Sequence, residues 1–151
     1  MVKALYVNEI LAKIDKAEGE EKEKLLVDYG SKHPINMILS LNFNDKIEIN
    51  VPSGMPPYKR DETLDPDMLQ TTLTQQIKRV ASILKGRSES ISNMKREAVF
   101  IQILEGISTK EADVLIFAKD GALEELYPTI TYDLVQKHFP SYCNRLNKDG
   151  E

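Results

Sequence analysis

The chain has 151 residues, of which 41% are hydrophobic. A chain of this length and apolar content can bury one hydrophobic core, and its composition excludes an intrinsically disordered protein. A net charge of -4 excludes a protein that binds nucleic acid through its overall charge, and one cysteine with two histidines excludes a disulfide framework and a Cys/His zinc site of usual spacing. No apolar run approaches the ~20 residues of a membrane span and no signal-peptide pattern is found, so we expect a cytoplasmic protein.

Three amphipathic helices are predicted in the N-terminal part of the chain. Apolar side chains recur at helical spacing over 4–16, where they form one stripe. Gly19 interrupts this pattern, and a second helix over 20–29 ends at Gly30. A third helix is predicted over 34–41, because it begins with a proline, which is favoured in the first turn of a helix.

The hydrophobic period changes to two residues at 46–51. Ile47, Ile49 and Val51 alternate there with polar residues, which is typical of a half-buried strand. No second strand of equal quality is found to pair with it. The segment therefore either lies on the helices as an extended arm or pairs with another chain, and the proline-containing residues 53–64 after it predict a stiff connector.

The edge of this extended segment is the first candidate binding surface. An exposed strand edge can add to the sheet of a partner, with pockets for alternate side chains. The residues predicted to contact a protein partner in this way are Ile47, Ile49, Val51, Pro57 and Tyr58.

Two long helices are predicted after the connector. Asp65 as N-cap and Pro66 at the first helical position open a helix that runs to Lys85. The next helix spans about 93–105 and has apolar residues on most of its circumference. We expect it to be the central and most buried helix, since a helix that is apolar all round is usually enclosed by others.

Capping signals mark the starts of two further helices. Ser108 and Glu111 form an S-x-x-E capping box, in which each side chain accepts a hydrogen bond from the backbone N–H of the other residue. Thr131 is the predicted cap of a short final helix, which Pro140 ends.

Together these patterns predict an all-α fold of six to seven short helices packed around a central helix at about 93–105, with one extended segment near 46–51. The chain divides into an N-terminal helical unit with the extended segment (1–52), the connector (53–64), a C-terminal helical core (65–140) and a tail (141–151). At this length we expect them to form one compact domain overall.

A cluster of basic residues is the second candidate binding surface. It lies at the end of one predicted helix and the start of the next, and consists of Lys78, Arg79, Lys85, Arg87, Lys95 and Arg96, with Glu89 as the single acid among them. Such a cluster can contact the phosphates of a nucleic acid or an acidic protein partner. No aromatic residue is interleaved for base stacking.

The sequence contains no recognisable catalytic, metal-binding or phosphate-binding motif. The glycine patterns of nucleotide-binding loops are missing, and the carboxylate pairs have no companion base or ligand set. We therefore predict a non-enzymatic protein without a cofactor. An enzyme would require a pocket of converging polar residues, which periodicity does not reveal.

Three segments of the chain carry a resemblance to a protein family. They are FNDKIEINVPSGMPPYK, KREAVFIQILEGISTKEADVLIFAKDG and LYPTITYDLVQKHFP, which together span about residues 41–140. They resemble small proteins of unknown function encoded by large contractile-tailed phages of cyanobacteria and other marine bacteria. The most specific matches are Lys95-Arg96-Glu97, Phe100-Ile101, Leu104-Glu105-Gly106, Glu111-Ala112 and Lys119-Asp120.

The resemblance implies a viral accessory or virion-associated protein, located in the cytoplasm of the infected host cell or in the virion. It transfers no functional residue, because the family has no established activity. We predict a protein that acts through contact with a viral or host protein. The alternative is a nucleic-acid-binding accessory protein for transcription or replication that uses the basic cluster at 78–96. Neither prediction involves a membrane, and a homo-oligomer is compatible with both.

Overall fold

A computed structural model gives the structure of the protein and describes residues 5–52, 54, 56–59, 69, 71–86 and 90–144. The α-helices in these ranges are α1 (Val7–Lys16), α2 (Gly19–Gly30), α3 (Ile35–Phe43), α4 (Leu73–Ser82), α5 (Asn93–Gly106), α6 (Thr109–Lys119) and α7 (Tyr132–His138). Two short 3-10 segments, Leu123–Glu125 and Pro140–Tyr142, flank α7. The described part of the chain contains isolated β-bridges but no strand or sheet, which confirms the predicted all-α fold.

The buried apolar side chains form one cluster to which all seven helices contribute. In α1, Val7, Leu11 and Ile14 are fully buried, as the helical spacing of apolar residues predicts. Gly19 begins α2 with a φ of 57°, a backbone conformation that residues other than glycine rarely adopt. Within the described ranges, no helix has the length and apolar character that a membrane crossing requires.

The helix predicted over 65–85 is shorter in the structure. Thr72 has an extended backbone and caps α4, where its Oγ1 accepts a hydrogen bond from Gln75 N at 3.3 Å and Gln75 Oε1 accepts one from Thr72 N at 3.1 Å. This reciprocal pair satisfies two N–H groups that a helix start leaves without partners, so α4 begins at Leu73. The predicted cap at Asp65 and the helical position of Pro66 lie outside the described residues.

The extended segment predicted near 46–51 pairs with this chain itself. Ile49 forms an antiparallel bridge with Leu84, flanked by hydrogen bonds from Asn50 N to the Ile83 carbonyl and from Lys85 N to the Glu48 carbonyl, both 2.9 Å long. Of the two arrangements that the sequence permits for this segment, the structure therefore has the arm that lies on the helices.

The structure corrects the predicted centre of the bundle, which is α6 rather than α5. Six residues of α6 are buried, and this helix packs against α1, α3 and α5. α5 buries four residues and lies at one side of the bundle, where it packs against α4 and α6. The apolar composition of α5 therefore does not reflect burial on all sides, because part of its apolar surface faces solvent.

Glu111 in the first turn of α6 joins the starts of three helices. Its backbone N–H donates to Ser108 Oγ at 3.2 Å, which is one half of the predicted capping box. The Glu111 carboxylate forms a tertiary contact instead of the other half, accepting hydrogen bonds from Val7 N at 2.9 Å and Leu73 N at 3.0 Å. These are the first residues of α1 and α4, so one buried side chain caps two helices far apart in sequence.

A surface ion pair between α2 and α7 makes the stability depend on pH. Glu23 Oε1 lies 2.8 Å from Lys137 Nζ and 2.8 Å from His138 Nε2. The hydrogen bonds from Lys137 and His138, with the Lys137 charge, hold the pKa of Glu23 below its ordinary value of 4.5. Because the pKa of Glu23 is lower in the folded protein than in the unfolded chain, the ionised carboxylate stabilises the folded state at pH values above the ordinary pKa. This stabilisation is lost as the pH falls through the lowered pKa of the folded protein.

We therefore expect the wild-type protein to be more stable than a Glu23→Gln variant near neutral pH, and to lose this advantage as the pH falls below 4.5. Urea unfolding of both proteins between pH 7 and pH 3 measures the difference. The advantage should also shrink at high salt, because the pair is exposed. A difference that stays constant with pH would contradict the expected effect.

Candidate functional site

Three apolar residues of α5 lie on the side of the helix that faces away from the core. Met94 is 82% exposed, Ala98 is exposed, and Ile101 is partly buried. They are separated by four and three positions, so they form one continuous stripe along the helix. We call these three residues the outer face of α5.

One edge of the outer face is formed by α4. Arg79 on α4 donates from Nη2 to Gln102 Oε1 on α5 at 3.0 Å and from Nη1 to Gln76 Oε1 at 3.3 Å. Lys95 precedes Gln102 by seven positions and therefore lies on the same side of α5. Arg79 and Lys95 are both exposed, so this edge carries positive charge and is called the basic edge.

The opposite edge is formed by a segment that we call the strap, which consists of the described residues 50–52, 54 and 56–59. Glu105 Oε2 near the end of α5 accepts a hydrogen bond from Lys59 N at 2.7 Å. Glu97 lines a cavity of about 140 Å³ between the strap and α5, together with Phe100 and strap residues that include Pro56. Glu97 is exposed on this side, which we call the acidic edge. Glu105 follows Ile101 by four positions and therefore lies in line with the apolar stripe, at its end.

Charged side chains at the end of α6 hold the strap in place. Lys119 Nζ donates to the Pro52 and Gly54 carbonyls, each at 3.1 Å, and to Asp120 Oδ1 at 2.6 Å. Asp120 Oδ2 accepts a hydrogen bond from Gly54 N at 3.0 Å. The ammonium group also lies 5.9 Å from the centre of the buried Phe100 ring. After the backbone hydrogen bond of Asn50 to Ile83, the strap backbone at Pro52 and Gly54 is thus bound by side chains of Lys119 and Asp120.

The residues predicted for a strand edge do not all face solvent. Ile49 is buried, Ile47, Val51 and Tyr58 are partly buried against the core, and Pro57 is exposed. The contacts of Ile49 are those of a core residue. Pro57 lies on the strap and lines the cavity beside the outer face of α5.

The predicted basic cluster is divided by the fold. Lys78, Arg79, Lys85 and Lys95 are exposed, and the ammonium group of Lys85 lies 2.7 Å from the Glu48 carboxylate. Arg87 lies outside the described residues.

Arg96 is 6% exposed, and its guanidinium group is used inside the protein. Its Nε donates to the Asn50 carbonyl at 3.0 Å, and its other nitrogens contact the Ile91 carbonyl and Asn93 Oδ1. Arg96 therefore joins α5 to the strap and is not part of the exposed basic surface.

A larger cleft of about 310 Å³ lies between the extended segment and the end of α6. Its lining includes Asp45, Glu48 and Asp120. In the portion of the chain that the structure describes, no group of three or more His, Cys, Asp or Glu side chains is arranged to hold a metal ion.

The sequence pattern does not predict the outer face of α5, because apolar residues around most of a helix usually indicate burial on all sides. Met94 lies in the first turn of α5 beside the exposed Asn93 and Lys95. An apolar residue between polar neighbours at a helix start was the one local signal that Met94 faces solvent.

The model of a protein family of unknown function, DUF6433, matches residues 10–125, which is more than half of the chain. The matched range begins in α1 and ends with the 3-10 segment after α6, so it includes the outer face of α5, the strap and Glu111. No curated protein and no solved structure matches the chain.

Proposed function

We propose that this chain, which belongs to the family of unknown function DUF6433, is a non-enzymatic protein that binds another protein through the outer face of α5. The exposure of this face is the observation that supports the proposal. Met94, Ala98 and Ile101 place apolar surface in water, although the same helix buries Phe100 and Leu104 on its other side. Covering the Met94 side chain with a partner would contribute roughly 1.5–3 kcal/mol to binding.

The charged residues around this face fit the same role. Protein interfaces commonly have an apolar centre and a polar rim, and here Arg79 and Lys95 lie on one side of the apolar stripe, Glu97 lies on the other, and Glu105 lies at its end. Exposed Pro57 on the strap extends the apolar surface on the acidic side.

We further propose that the protein acts in phage-infected bacteria as an accessory or virion-associated protein. The support for this setting is the resemblance of residues 41–140 to small proteins of large contractile-tailed phages. The partner is then a viral or host protein, met in the cytoplasm of the infected cell or in the virion.

Affinity capture of the tagged protein from infected cells, followed by mass spectrometry with and without nuclease, tests the proposal. We expect the wild-type protein to recover a partner that resists nuclease, and a Met94→Glu variant to lose it. Val27→Glu is the matched control, since Val27 is 40% exposed on α2 and should not contribute to this contact. Equal recovery by the wild-type protein and the Met94→Glu variant would contradict the assignment of the surface.

Nucleic-acid binding is the second candidate function, and the exposure of Lys78 and Lys95 on the α4–α5 pair favours it. Binding of this kind should appear as retention on DNA at low ionic strength that falls steeply as salt is added. A Lys95→Gln variant should be retained less than the wild-type protein. Recovery of nucleic acid alone in the capture experiment would make this the preferred function.

A further inference from the structure

The cavity between the strap and α5 has the size of a single side chain. Its volume is about 140 Å³. The strap contributes apolar residues to its wall, three of them prolines, and α5 contributes Phe100 and Glu97. Pockets that hold a cofactor or a substrate have volumes of about 300–1,000 Å³. The cavity is therefore suited to one side chain of a protein partner rather than to a whole small molecule.

The strap side of this cavity is held in place by the rest of the protein. Arg96 Nε donates to the backbone carbonyl at the start of the strap at 3.0 Å, and Glu105 Oε2 accepts from the backbone N–H at its end at 2.7 Å. Between these points, Lys119 Nζ donates to the Gly54 carbonyl at 3.1 Å. The cavity is thus formed before a partner arrives, which lowers the cost of ordering on binding.

The charge of Glu97 is available to a partner. Among the described residues that line the cavity, Glu97 is the only ionisable one, and it is exposed. Its carboxylate has no hydrogen bond or ion pair in the part of the chain that the structure describes. The nearby Lys119 ammonium is bound by Asp120 Oδ1 at 2.6 Å and by two carbonyl groups of the strap. The cavity therefore combines apolar walls with one unpaired negative charge.

We propose, building on the protein-binding role assigned above to the outer face of α5, that this cavity receives an arginine side chain of the partner protein, whose guanidinium group pairs with the Glu97 carboxylate. Glu97 precedes Ile101 of the outer face by four positions, so the two side chains are neighbours on the helix. One partner can therefore cover the outer face and fill the cavity at the same time.

Arginine matches both properties of the cavity. Its apolar stem packs against the prolines and Phe100, while its charged end stays at the exposed carboxylate. A guanidinium group can form two parallel hydrogen bonds with a carboxylate, which an ammonium group cannot. A purely apolar side chain would cover the Glu97 carboxylate without replacing the water bound to it, which is unfavourable.

Titration of the ¹⁵N-labelled protein with N-acetyl-arginine methylamide, followed by NMR, tests the site directly. We expect the amide signals of Gly54 and Glu97 to shift, with a dissociation constant on the order of millimolar for a probe of this size. N-acetyl-citrulline methylamide is the matched probe, because citrulline has the shape of arginine without its charge. It should bind about five-fold more weakly, since it lacks the ion pair.

A Glu97→Gln variant separates the charge of the site from its shape. It should bind the arginine probe about five-fold more weakly than the wild-type protein and should no longer distinguish arginine from citrulline. Glu125→Gln is the control, because Glu125 is exposed on the 3-10 segment after α6, and it should behave like the wild-type protein. Both variants should unfold at the same urea concentration as the wild-type protein.

Equal binding of the two probes by the wild-type protein would overturn the charged occupant. Shifts confined to signals outside the strap and α5 would overturn the location of the site.

Capture from infected cells distinguishes this inference from the proposed function. We expect the Glu97→Gln protein to recover less of the partner than the Glu125→Gln protein does. If Met94→Glu lost the partner and Glu97→Gln recovered it in full, the outer face of α5 would remain the binding surface and the arginine site would be wrong. If Glu97→Gln lost the partner and Met94→Glu recovered it in full, the cavity would stand and the outer face would not be the contact surface.

Discussion

Replacing Glu111 with alanine is expected to lower the free energy of unfolding by about 3 kcal/mol, because two buried backbone N–H groups lose their acceptor at once. The N–H of Val7 and that of Leu73 each begin a helix, and both are buried. Urea unfolding at pH 7 measures the change. Glu125→Ala is the control, since Glu125 is exposed, and it should alter the free energy by no more than about 0.5 kcal/mol.

A glutamine at position 111 separates the effect of shape from that of charge. Its single oxygen can accept from one of the two N–H groups, and its NH₂ group faces the other donor. We therefore expect Glu111→Gln to be less stable than the wild-type protein, by about 2 kcal/mol. A variant as stable as the wild-type protein would mean that the two N–H groups do not both depend on Glu111.

The pH dependence of this difference follows from the pKa of Glu111. Burial raises the pKa of Glu111 above its ordinary value of 4.5, and the hydrogen bonds from Leu73 and Val7 partly oppose this rise. A raised pKa means that the folded protein binds the proton more tightly than the unfolded chain. The stability that the folded protein gains from this tighter proton binding is therefore complete below pH 4.5. It is lost as the pH rises through the raised pKa of Glu111 in the folded protein.

We thus expect the advantage of the wild-type protein over Glu111→Gln to be larger at pH 4.5 than at pH 7. Unfolding curves of the two proteins at several pH values give this difference directly, because other titrating groups affect both proteins alike. An advantage that grows with pH would show that the hydrogen bonds to Glu111 outweigh its burial.

Replacing Arg96 with methionine is the second change with a large expected effect, a loss of about 3 kcal/mol. The carbonyl groups of Asn50 and Ile91 would lose their charged donor, and the contact that joins α5 to the strap would be removed. Methionine fills much of the volume of the arginine stem, so the loss reports mainly on the guanidinium group. Thermal unfolding of the variant measures it.

Lys95→Met is the matched control, because it removes a neighbouring positive charge that is exposed. Its stability should stay within about 0.5 kcal/mol of the wild-type protein. Comparison of Arg96→Met with Lys95→Met also separates the structural role of a buried cation from the binding role of an exposed one. If the protein binds DNA, Lys95→Met should weaken its retention on DNA without changing its stability. A stable Arg96→Met variant with weakened DNA retention would reverse the structural role assigned to Arg96.

The positions of most helices could be predicted because their signals are local. Thr131 Oγ1 caps α7 by accepting from Leu134 N at 3.2 Å, and Ser108 caps α6, as the sequence predicts. α4 is the exception. The proline at position 66 suggested an early start, whereas the reciprocal bonds of Thr72 and Gln75 stabilise a start at Leu73.

The candidate site was only partly predictable. The extended segment and the basic residues of α4 and α5 were recognised from the sequence, and Pro57, Lys78 and Lys95 of the predicted surfaces are exposed. Met94 was not recognised, because its exposure depends on which side of α5 packs against α6. Arg96 was assigned to a surface, since its sequence neighbours do not reveal that it turns inward to the Asn50 carbonyl.

The sequence alone determined the all-α fold, the caps of the later helices and the change of period near 46–51, because these depend on hydrogen bonds and side-chain spacing within a few residues. The tertiary structure alone decided that α6 lies at the centre, that Glu111 caps α1 and α4, and that the apolar stripe of α5 faces solvent. Such features depend on contacts between residues far apart along the chain. Helix propensity and hydrophobic periodicity describe only neighbours along the chain. Several packings of the same helices are therefore equally compatible with the sequence pattern.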